Sequence, residues 1–367
     1  MSKILFICAS SQSIYNFRVP LIKKLKIAGY QVETISFDNN YSDLLIAEGI
    51  KNHCVLSNNR TVNPFEIARL KKSLYKKIVE LKPDIVFTFV AKPNIYGVLA
   101  AKKAKIKNIF SMVEGAGDPF INLDLKWRII KFIECKLFKK AFKNAKTVFF
   151  LNNDDKEEFV DLKLVKENQA FVIDGIGIDL DKFAYKPVQK QSNSFIMVAR
   201  MLKTKGVLDY CKCAQLVRQK FPNAVFHYLG SEGSIKIADI KDYIESGDIV
   251  YHGSVSDVIP YLEDSLMLLL PSYREGKPMS IMEAESVGRG IIASDVIGCR
   301  DTVIDGYNGF LFKKNDYEKM ADLCLKVLNN KDLAVEFGIH SREYAEKHYN
   351  QDTINSIIIN VIQEKMN

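Results

Sequence analysis

The chain has 367 residues, of which 47% are hydrophobic and 26% charged, and its formal net charge is +8 at pH 7. This length exceeds what one hydrophobic core usually supports, so two domains are the first expectation. No run of about 18 uncharged apolar residues occurs, which excludes an evident membrane-spanning helix, and the moderate positive charge predicts a partner with negative charge, such as phosphate, anionic lipid or nucleic acid.

Short β-branched runs alternate with helical patterns through the first half of the chain. The predicted buried strands read KILFIC, QVETISF, DIVFTFV, NIFSMV, TVFFLN and AFVID, and helical patterns such as PFEIARLKKSLYKKIVELK lie between them. The first run is too short for the apolar core of a signal peptide, so we interpret it as a strand and expect a cytoplasmic protein. The alternation predicts a parallel, doubly wound α/β sheet.

A polar stretch with a proline, AYKPVQKQSNS at residues 184–194, interrupts this alternation. We interpret it as the linker between a first domain at residues 1–185 and a second at residues 186–350. The strands predicted in the second domain read FIMVA, AVFHYLG, IVYHG, SLMLLL, GIIAS and GFLF. Residues 351–367 predict an amphipathic helix that packs back on the first domain. The sequence therefore predicts two Rossmann-like domains that face a central cleft.

The most informative stretch of the second half is SLMLLLPSYREGKPMSIMEAESVG, at residues 265–288. It predicts a buried strand, a loop at the carboxyl end of that strand, and a helix that Gly288 closes as a C-cap. The N–H groups of residues 276–280 would lie at the helix N-terminus, which binds phosphate or hydroxyl oxygens readily. Glu275 and Glu283 would both lie near this helix N-terminus, and each carboxylate could bind a sugar diol. The alternative is that Glu275 is an exposed loop residue and Glu283 a solvated helix residue, which the same spacing allows.

A second polar cluster follows the strand in MVARMLKTKG, at residues 197–206. Arg200 and Lys205 would lie in the loop after the strand, and Gly206 would open the next helix. A guanidinium and an ammonium in such a loop are suited to clamping a diphosphate, while two surface cations near a helix start are the alternative interpretation.

Together, VARMLKTKG, EGKPMSIME and SDVIGCRDTVIDGYNGFLF resemble the retaining glycosyltransferases of family 4, which have the GT-B fold, and the resemblance covers nearly the whole chain. SIYNFRVPLIKKL and SMVEGAGDPFI resemble a subgroup that adds N-acetylgalactosamine or related sugars to undecaprenyl-diphosphate-linked glycans. The resemblance implies transfer of a hexose or N-acetylhexosamine from a UDP-sugar to a polyprenyl-diphosphate-linked glycan, in the synthesis of a bacterial surface glycan.

The resemblance also implies a role for each candidate in the second half. Arg200 and Lys205 match the pair that holds the donor diphosphate. Glu275 matches the residue at the hydroxyls of the donor sugar, where it could also stabilise a cationic sugar, and Glu283 matches the residue on the ribose. The turn that approaches the sugar and phosphate is formed by Gly276, Lys277, Pro278 and Met279. In the front-face mechanism of the family, a donor phosphate oxygen takes the proton of the acceptor, so no metal and no cofactor besides the nucleotide sugar is expected.

Three residues of the first half are candidates for the acceptor side. Many family members have a glycine pair after the first strand, which ASSQSIYNFR replaces here, and Asn16 and Arg18 are the polar candidates in this loop. Many members also have a histidine after the strand that reads FSMV, where this chain has Glu114. Because the subgroup also has a glutamate there, we expect Glu114 to be a catalytic candidate near the transferred sugar or acceptor; a helix-start glutamate is the alternative.

Other motifs favour neither a metal site nor a dinucleotide site. Asp179 and Asp181 form a DxD pattern, but enzymes of the resembled type hold diphosphate with cations and amides. GAG at residues 115–117 and GIG at residues 175–177 lack the full glycine fingerprint of a dinucleotide site. The seven cysteines and five histidines show no metal-ligand spacing, so free thiols are expected.

Residues 124–146, DLKWRIIKFIECKLFKKAFKNAK, contain eight Lys or Arg residues and the only tryptophan, Trp127. A basic amphipathic helix with aromatic residues is typical of a membrane-surface element, which would place the protein on the inner face of the plasma membrane. A core-packed helix with a solvated lysine face is the alternative, and no motif supports nucleic-acid binding.

Two further classes of function stay open. A nucleotide-sugar epimerase or a phosphorolytic enzyme would share the fold but need a small acceptor pocket at the loops of residues 10–18 and 114–120. A non-catalytic membrane-surface binding protein would not need the complete set of Arg200, Lys205, Glu275 and Glu283.

Overall fold

The computed structural model describes three stretches of the chain, residues 1–58, 63–121 and 124–366. Strands and helices alternate along both halves, and every pair of neighbouring strands is parallel. The predicted α/β class with two doubly wound sheets is confirmed.

The chain divides into two compact units, the first made of Met1–Ile176 with Asp352–Asn367 and the second of Gly177–Gln351. This division lies ahead of the boundary predicted at residues 185/186. The reason is packing, because Ile178, Phe183 and Val188 are buried in the core of the second unit. The polar stretch at residues 184–194 therefore belongs to the second unit and is not a free linker.

Within the described residues, the first unit contains one seven-stranded sheet with helices between its strands. Its strands are β1 (Lys3–Ile7), β2 (Gln31–Ser36), β3 (Lys51–Cys54), β4 (Ile85–Phe89), β5 (Asn108–Val113), β6 (Thr147–Phe150) and β7 (Ala170–Val172). Its helices are α1 (Ser11–Ile27), α2 (Ser42–Ala47), α3 (Pro64–Leu81), α4 (Val98–Lys103), α5 (Leu125–Phe142) and α6 (Asn153–Asp161). The strand order β3-β2-β1-β4-β5-β6-β7 places a topological switch point between β1 and β4.

The second unit repeats this plan with a six-stranded sheet in its described residues. Its strands are β8 (Ser194–Val198), β9 (Val225–Leu229), β10 (Val250–Gly253), β11 (Met267–Leu270), β12 (Gly290–Ser294) and β13 (Gly309–Phe312). Its helices are α7 (Val207–Lys220), α8 (Lys241–Glu245), α9 (Ile259–Asp264), α10 (Met279–Val287), α11 (Tyr317–Asn329) and α12 (Asp332–His348). The order β10-β9-β8-β11-β12-β13 places the switch point between β8 and β11, whose carboxyl ends carry the two informative loops.

The last helix, α13 (Gln351–Met366), packs on the first unit. Its buried face, which includes Ile354, Ile358 and Ile362, joins the same apolar cluster as Ile4 and Phe6 of β1. The central strands of both sheets are buried because helices cover both faces, which explains why they read as continuous apolar runs.

Candidate active site

Two loops meet at the carboxyl edge of the second sheet, one after β8 and one after β11. The amide N–H of Tyr273 donates to the carbonyl of Thr204 across 2.8 Å. Gly206 has a φ of +70°, and a Cβ at this position would lie 2.1 Å from the carbonyl oxygen of Pro271. Only glycine therefore permits this close approach, which fixes the first loop against the second.

This contact brings two of the predicted site residues together. The Nζ of Lys205 donates to the Oε1 of Glu275 across 2.5 Å, and the Oγ of Ser272 donates to the same oxygen across 2.7 Å. The Lys205 and Glu275 side chains are 27% and 10% exposed, so a ligand can still reach both. Two donors on one carboxylate oxygen orient this group and leave its second oxygen available to a ligand.

The loop after β12 supports Glu275 from the other side. The amide N–H of Glu275 donates to the carbonyl of Ile297 across 2.9 Å. A Cβ at Gly298, whose φ is +83°, would lie 2.4 Å from the carbonyl oxygen of Glu275. The loop after β12 thus fixes the backbone of Glu275, while Lys205 and Ser272 hold its carboxylate. The glycines permit the backbones to touch.

Arg200 lies two residues after the end of β8, at the same edge as Lys205. A Cβ at Gly230 would lie 1.9 Å from the carbonyl oxygen of Ala199, so the loop after β9 supports the backbone next to Arg200. The Arg200 side chain is exposed, and its guanidinium forms no ion pair with any residue that the structure describes. It is therefore available to an anionic ligand at this edge.

The predicted turn lies directly before α10. Pro278 has no N–H, so only Gly276, Lys277 and Met279 of the four turn residues carry an amide donor. Lys277 is buried, with its Nζ 5.6 Å from the ring centroid of Tyr349, and the side chain therefore points away from solvent.

Glu283 lies about one turn into α10 and is only partly exposed. Burial raises the pKa of its carboxyl from 4.5 to about 7, and the charge of Lys182 lowers that pKa only partly. A carboxyl that titrates near neutral pH beside a strand-end loop is typical of a functional position.

We expect ligand binding at Glu283 to depend on pH. If its carboxylate accepts hydrogen bonds from two hydroxyls, protonation as the pH falls from 8 to 6 should raise the KM of the donor about fivefold or more, because the pKa is about 7. Glu283→Gln should show the high KM at every pH. Initial rates at pH 6, 7 and 8 measure this dependence, with the exposed Glu336→Gln as the matched control.

A rise in pH should have the opposite effect on stability: deprotonation of Glu283 should strengthen donor binding but destabilise the folded protein. Its folded-state pKa lies above the unfolded value, so the folded form binds more protons between pH 4.5 and 7, and stability falls as the pH rises through this window. Glu283→Gln should therefore raise the free energy of unfolding at pH 8, by the order of 1 to 3 kcal/mol. A donor KM that stays constant between pH 6 and 8 in the parent would contradict the role of Glu283.

In the first unit, Asn16 and Arg18 lie on helix α1 and not in a loop as predicted. The side chain of Ser10 accepts from the amide of Ser13, which starts the helix directly after β1 and its short connection. Arg18 consequently points inward and is 1% exposed, whereas Asn16 is exposed to solvent.

Arg18 and Glu114 meet although they lie far apart in the sequence. The guanidinium of Arg18 forms a close ion pair with Glu114, the first residue after β5, and its Cζ lies 4.4 Å from the ring centroid of Phe89. Burial lowers the pKa of Arg18 to about 10. Glu114 is 20% exposed, so the pair presents one carboxylate at the carboxyl edge of the first sheet. Asn16 has no part in this contact.

A polar group at the end of β4 was not predicted from the sequence. The Oγ1 of Thr88 donates to the Oδ1 of Asn94 across 2.7 Å, and the Nδ2 of Asn94 donates to the carbonyl of Met112 across 2.8 Å. Between them Val90 has a φ of +62°, which a β-branched residue rarely adopts, and residues 93–97 form a π-helical turn. The signal available in the sequence is the polar residues Thr88 and Ser111 inside otherwise apolar strands.

The DxD pattern forms part of a turn. The Oδ1 of Asp179 accepts from the amides of Asp181 and Lys182, at 3.1 and 3.0 Å. In the described part of the chain, no group of three His, Cys, Asp or Glu side chains is placed to hold a metal ion.

Helix α5 has a buried C-terminal part and an exposed N-terminal part. Its C-terminal part packs into the core through Phe138, Ala141 and Phe142. Its N-terminal part exposes more than half of each of four apolar side chains, Leu125, Ile129, Phe132 and Ile133. The Nζ of Lys136 lies 4.2 Å from the ring centroid of Phe132, so cations border this apolar surface. None of the described helices is both long and apolar enough to cross a membrane.

Comparison with known proteins identifies both halves of the chain. The family described as glycosyl transferases group 1 matches residues 180–344, and the family described as glycosyl transferase 4-like matches residues 3–152. The chain is 30% identical over 356 residues to N,N'-diacetylbacillosaminyl-diphospho-undecaprenol alpha-1,3-N-acetylgalactosaminyltransferase of Campylobacter jejuni, a match that covers 94% of each protein. It is 29% identical to UDP-Gal:alpha-D-GlcNAc-diphosphoundecaprenol alpha-1,3-galactosyltransferase of Escherichia coli, over 72% of this chain and 71% of that protein.

Solved structures agree on the fold. HepE of Anabaena, in complex with UDP-glucose, superposes with a TM-score of 0.82 at 15% identity, over 99% of this chain and 100% of that one. This likeness establishes the GT-B fold. Together with the matches to both family descriptions and the extensive identity to a curated relative, it shows that the chain is an enzyme that belongs to the group 1 glycosyltransferases.

Proposed function

We propose that this glycosyltransferase moves an N-acetylhexosamine or hexose from a UDP-sugar to a polyprenyl-diphosphate-linked glycan, with retention of configuration, during synthesis of a bacterial surface glycan. The observation that carries the proposal is the oriented Lys205–Glu275 pair at the switch point of the second sheet, directly before the N-terminus of α10. The names of the Campylobacter and Escherichia relatives, which act on diphospho-undecaprenol-linked sugars, support the acceptor class.

The donor diphosphate would bind to Arg200 and Lys205. Breaking the bond between the anomeric carbon and the diphosphate builds negative charge on the leaving phosphate and positive charge on the sugar. Arg200 is exposed and Lys205 partly exposed at one sheet edge, so both can approach the phosphates. The amides at the start of α10 add partial positive charge, and preorganised groups of this kind are usually the largest contribution to catalysis.

The two glutamates would hold the two ends of the donor. Glu275 has one oxygen occupied by Lys205 and Ser272, which leaves the other for hydroxyls of the sugar. Glu283 lies about one turn into α10 and would bind the ribose diol in its deprotonated form. This arrangement explains why one carboxylate precedes the helix and the other lies inside it.

We propose retention of configuration from the linkage of the donor class and from the linkages that the relatives form. Nucleotide sugars of this class are α-linked, and both relatives form alpha-1,3 linkages. A front-face reaction, in which a phosphate oxygen of the departing diphosphate takes the acceptor proton, requires no strong protein base. We therefore propose no metal and no cofactor, because cations and amides supply the charge that a metal ion would otherwise bring.

The acceptor would bind at the carboxyl edge of the first sheet. The Glu114 carboxylate is held there by buried Arg18, which fixes its orientation. Such a carboxylate can bind acceptor hydroxyls close to the reacting oxygen. Asn16 is exposed on the same helix as Arg18 and is a weaker candidate, because no contact orients it toward Glu114.

The N-terminal part of α5 would contact the membrane that holds the acceptor lipid. In a parallel sheet, the helix that follows a strand begins near the carboxyl edge of the sheet. Helix α5 follows β5, so its exposed N-terminal apolar side chains would lie on the same side of the first unit as Glu114. Each cation near an anionic leaflet contributes about 1 kcal/mol to binding, and lysines and arginines surround this surface. The protein would thus be peripheral on the inner face of the plasma membrane.

We expect removal of two exposed apolar side chains of α5 to weaken membrane binding. Phe132→Ser with Ile133→Ser should lower partitioning onto anionic phosphatidylglycerol vesicles at least tenfold, because each side chain contributes about 1.5 kcal/mol or more when buried. Co-sedimentation measures the effect. Ile339→Ser, in the second unit and 43% exposed, is the matched control and should bind like the parent. Equal binding of the double variant and the parent would contradict this orientation.

A transfer assay tests the proposed function. The purified protein is incubated with UDP-N-acetylgalactosamine, UDP-N-acetylglucosamine, UDP-galactose, UDP-glucose or GDP-mannose, and with a short polyprenyl-diphosphate-linked N-acetylhexosamine. We expect one UDP-sugar to give an α-linked product faster than it is hydrolysed. Interconversion of UDP-sugars without transfer would favour an epimerase and contradict the proposal.

A further inference from the structure

The backbone adopts an uncommon conformation directly after β4. Val90 has a φ of +62°, in the left-handed region, where a β-branched side chain is a clear outlier. Residues 93–97 then form a π-helical turn. Conformations of both kinds persist only where the surrounding structure enforces them, and they are concentrated at functional sites. The short segment between these two features therefore calls for a functional reason.

Hydrogen bonds from the neighbouring strand hold this segment in place. The amide N–H of Val90 donates to the carbonyl of Met112 across 3.3 Å, and that of Asn94 donates to the carbonyl of Val90 across 3.0 Å. The Nδ2 of Asn94, a residue that is 1% exposed, donates to the same Met112 carbonyl, and its Oδ1 accepts from Thr88. The ends of β4 and β5 thus fix the backbone on both sides of Lys92.

This backbone places Lys92 at the switch point of the first sheet. Ligands of open α/β sheets bind beyond the carboxyl ends of the strands at such a point, which here lies between β1 and β4. Phe89 pairs with Met112 where β4 and β5 end. Lys92, three residues further on, and Glu114, two residues further on, therefore leave the same edge from adjacent strands, which lie about 4.8 Å apart.

The ammonium of Lys92 is held at this edge by a backbone oxygen. Its Nζ donates to the carbonyl of Asn58, in the loop after β3, across 2.8 Å. An ammonium has three donors, so two stay available to a ligand. Among the residues that the structure describes, no carboxylate forms an ion pair with Lys92. Burial lowers the pKa of Lys92, while the charge of Glu66 raises it.

We propose that Lys92 binds the diphosphate that links the acceptor sugar to its lipid. The proposal rests on the proposed function of this sheet edge as the acceptor site. The carboxylate of Glu114 suits sugar hydroxyls but repels phosphate, and the guanidinium of Arg18 is buried and already paired with that carboxylate. Lys92 supplies the cation that a diphosphate requires. Two side chains of one edge would then recognise two chemically different parts of the acceptor, the sugar and its diphosphate.

Two acceptors test this assignment in neutral detergent, which removes anionic lipid. With a polyprenyl-diphosphate-linked N-acetylhexosamine, Lys92→Met and Lys92→Gln should each lower kcat/KM at least tenfold, because charge-assisted hydrogen bonds to phosphate are lost. With a polyprenyl N-acetylhexosaminide, in which one glycosidic oxygen replaces the diphosphate, both variants should match the parent. Lys92→Arg keeps the charge and should recover most of the loss.

Lys107→Met is the matched control, because Lys107 is exposed at the opposite edge of the same sheet, directly before β5. This variant should match the parent with both acceptors. The Tm of both neutral Lys92 variants should stay within about 2 °C of the parent, since the side chain is only partly buried. Their UDP affinity should stay within threefold, because the donor residues lie in the second unit.

Equal losses with the two acceptors would overturn the inference, since they indicate a role that does not involve the diphosphate. Parent-like kinetics of both neutral variants with the diphosphate-linked acceptor would overturn it too. A parent that transfers no sugar would contradict the proposed function, and equilibrium binding of the two acceptors would then decide the inference. Lys92→Met should bind the diphosphate-linked acceptor at least tenfold more weakly than the parent does, and it should bind the neutral acceptor equally well.

Discussion

Replacing Lys205 with alanine is expected to lower kcat by two to three orders of magnitude while the protein stays folded. The ammonium would neutralise charge that develops on the departing diphosphate, and loss of one preorganised partner of this kind typically costs about 3 to 4 kcal/mol of barrier. Lys205 also orients Glu275, so the variant loses two functions at once. The side chain is 27% exposed and not part of the core, which is why Tm should change little.

Lys203→Ala is the matched control for this measurement. Lys203 lies in the same short 3-10 turn and is exposed, and its described contacts do not include Glu275. Initial rates and thermal unfolding of both variants, with Lys205→Arg as the charge-conserving version, give the comparison. We expect the control to match the parent and the Lys205→Arg variant to recover part of the rate. If Lys205→Ala transferred sugar within threefold of the parent, its assigned role would be wrong.

The second large effect is expected at Glu114. Its replacement by alanine leaves the guanidinium of Arg18 buried without a carboxylate, and removal of one partner from a buried pair costs about 3 to 5 kcal/mol. Because Glu114 is 20% exposed, water would reduce this cost, and about 2 kcal/mol is the expected loss of unfolding free energy. The kcat/KM for the acceptor should fall about a hundredfold, as for other orienting groups.

Two measurements separate acceptor binding from stability. UDP affinity should stay within threefold of the parent in Glu114→Ala, because the donor residues all lie in the second unit. The double variant Arg18→Met with Glu114→Leu should recover Tm without recovering transfer, since apolar side chains replace the pair. Transfer by this double variant at the parent rate would contradict an acceptor role for Glu114 and leave the pair a structural one.

The positions of the strand-end loops in the second unit can be predicted from local features of the sequence. The strand-end loops after β8 and β11 are recognisable because apolar runs stop at Val198 and Leu270, and glycines mark the close approaches at Gly206 and Gly288. The spacing of Glu275 and Glu283 then places one before the helix and one inside it. These features depend on residues close together in the chain, which is why they could be predicted.

Other features depend on contacts between distant residues. Arg18 was expected in a loop, but the cap at Ser10 continues the chain as a helix and turns the guanidinium toward Glu114. The amide of Lys277 was expected at the ligand, and the long side chain of this residue lies buried beside Tyr349. A lysine next to a proline in a loop gives no local sign of burial, so the position of this side chain could not be predicted from the sequence.

The division of the chain shows the same limitation. Residues 184–194 look like a linker because they are polar and contain a proline. In the structure Val188 is buried, and the Nζ of Lys331 donates to the carbonyl of Ser192 across 2.7 Å, which ties this stretch to the second unit. The polarity of a segment indicates that many of its side chains are exposed, but it does not indicate which neighbouring elements the segment contacts.

The most direct test of the central claim is a crystal structure of the protein with UDP bound. We expect the β-phosphate within hydrogen-bond distance, about 3 Å, of the Arg200 guanidinium and the Lys205 ammonium, with the ribose hydroxyls on Glu283. A nucleotide bound at another edge of the fold, with Arg200 and Lys205 left in bulk solvent, would contradict the claim that these two cations neutralise the departing diphosphate.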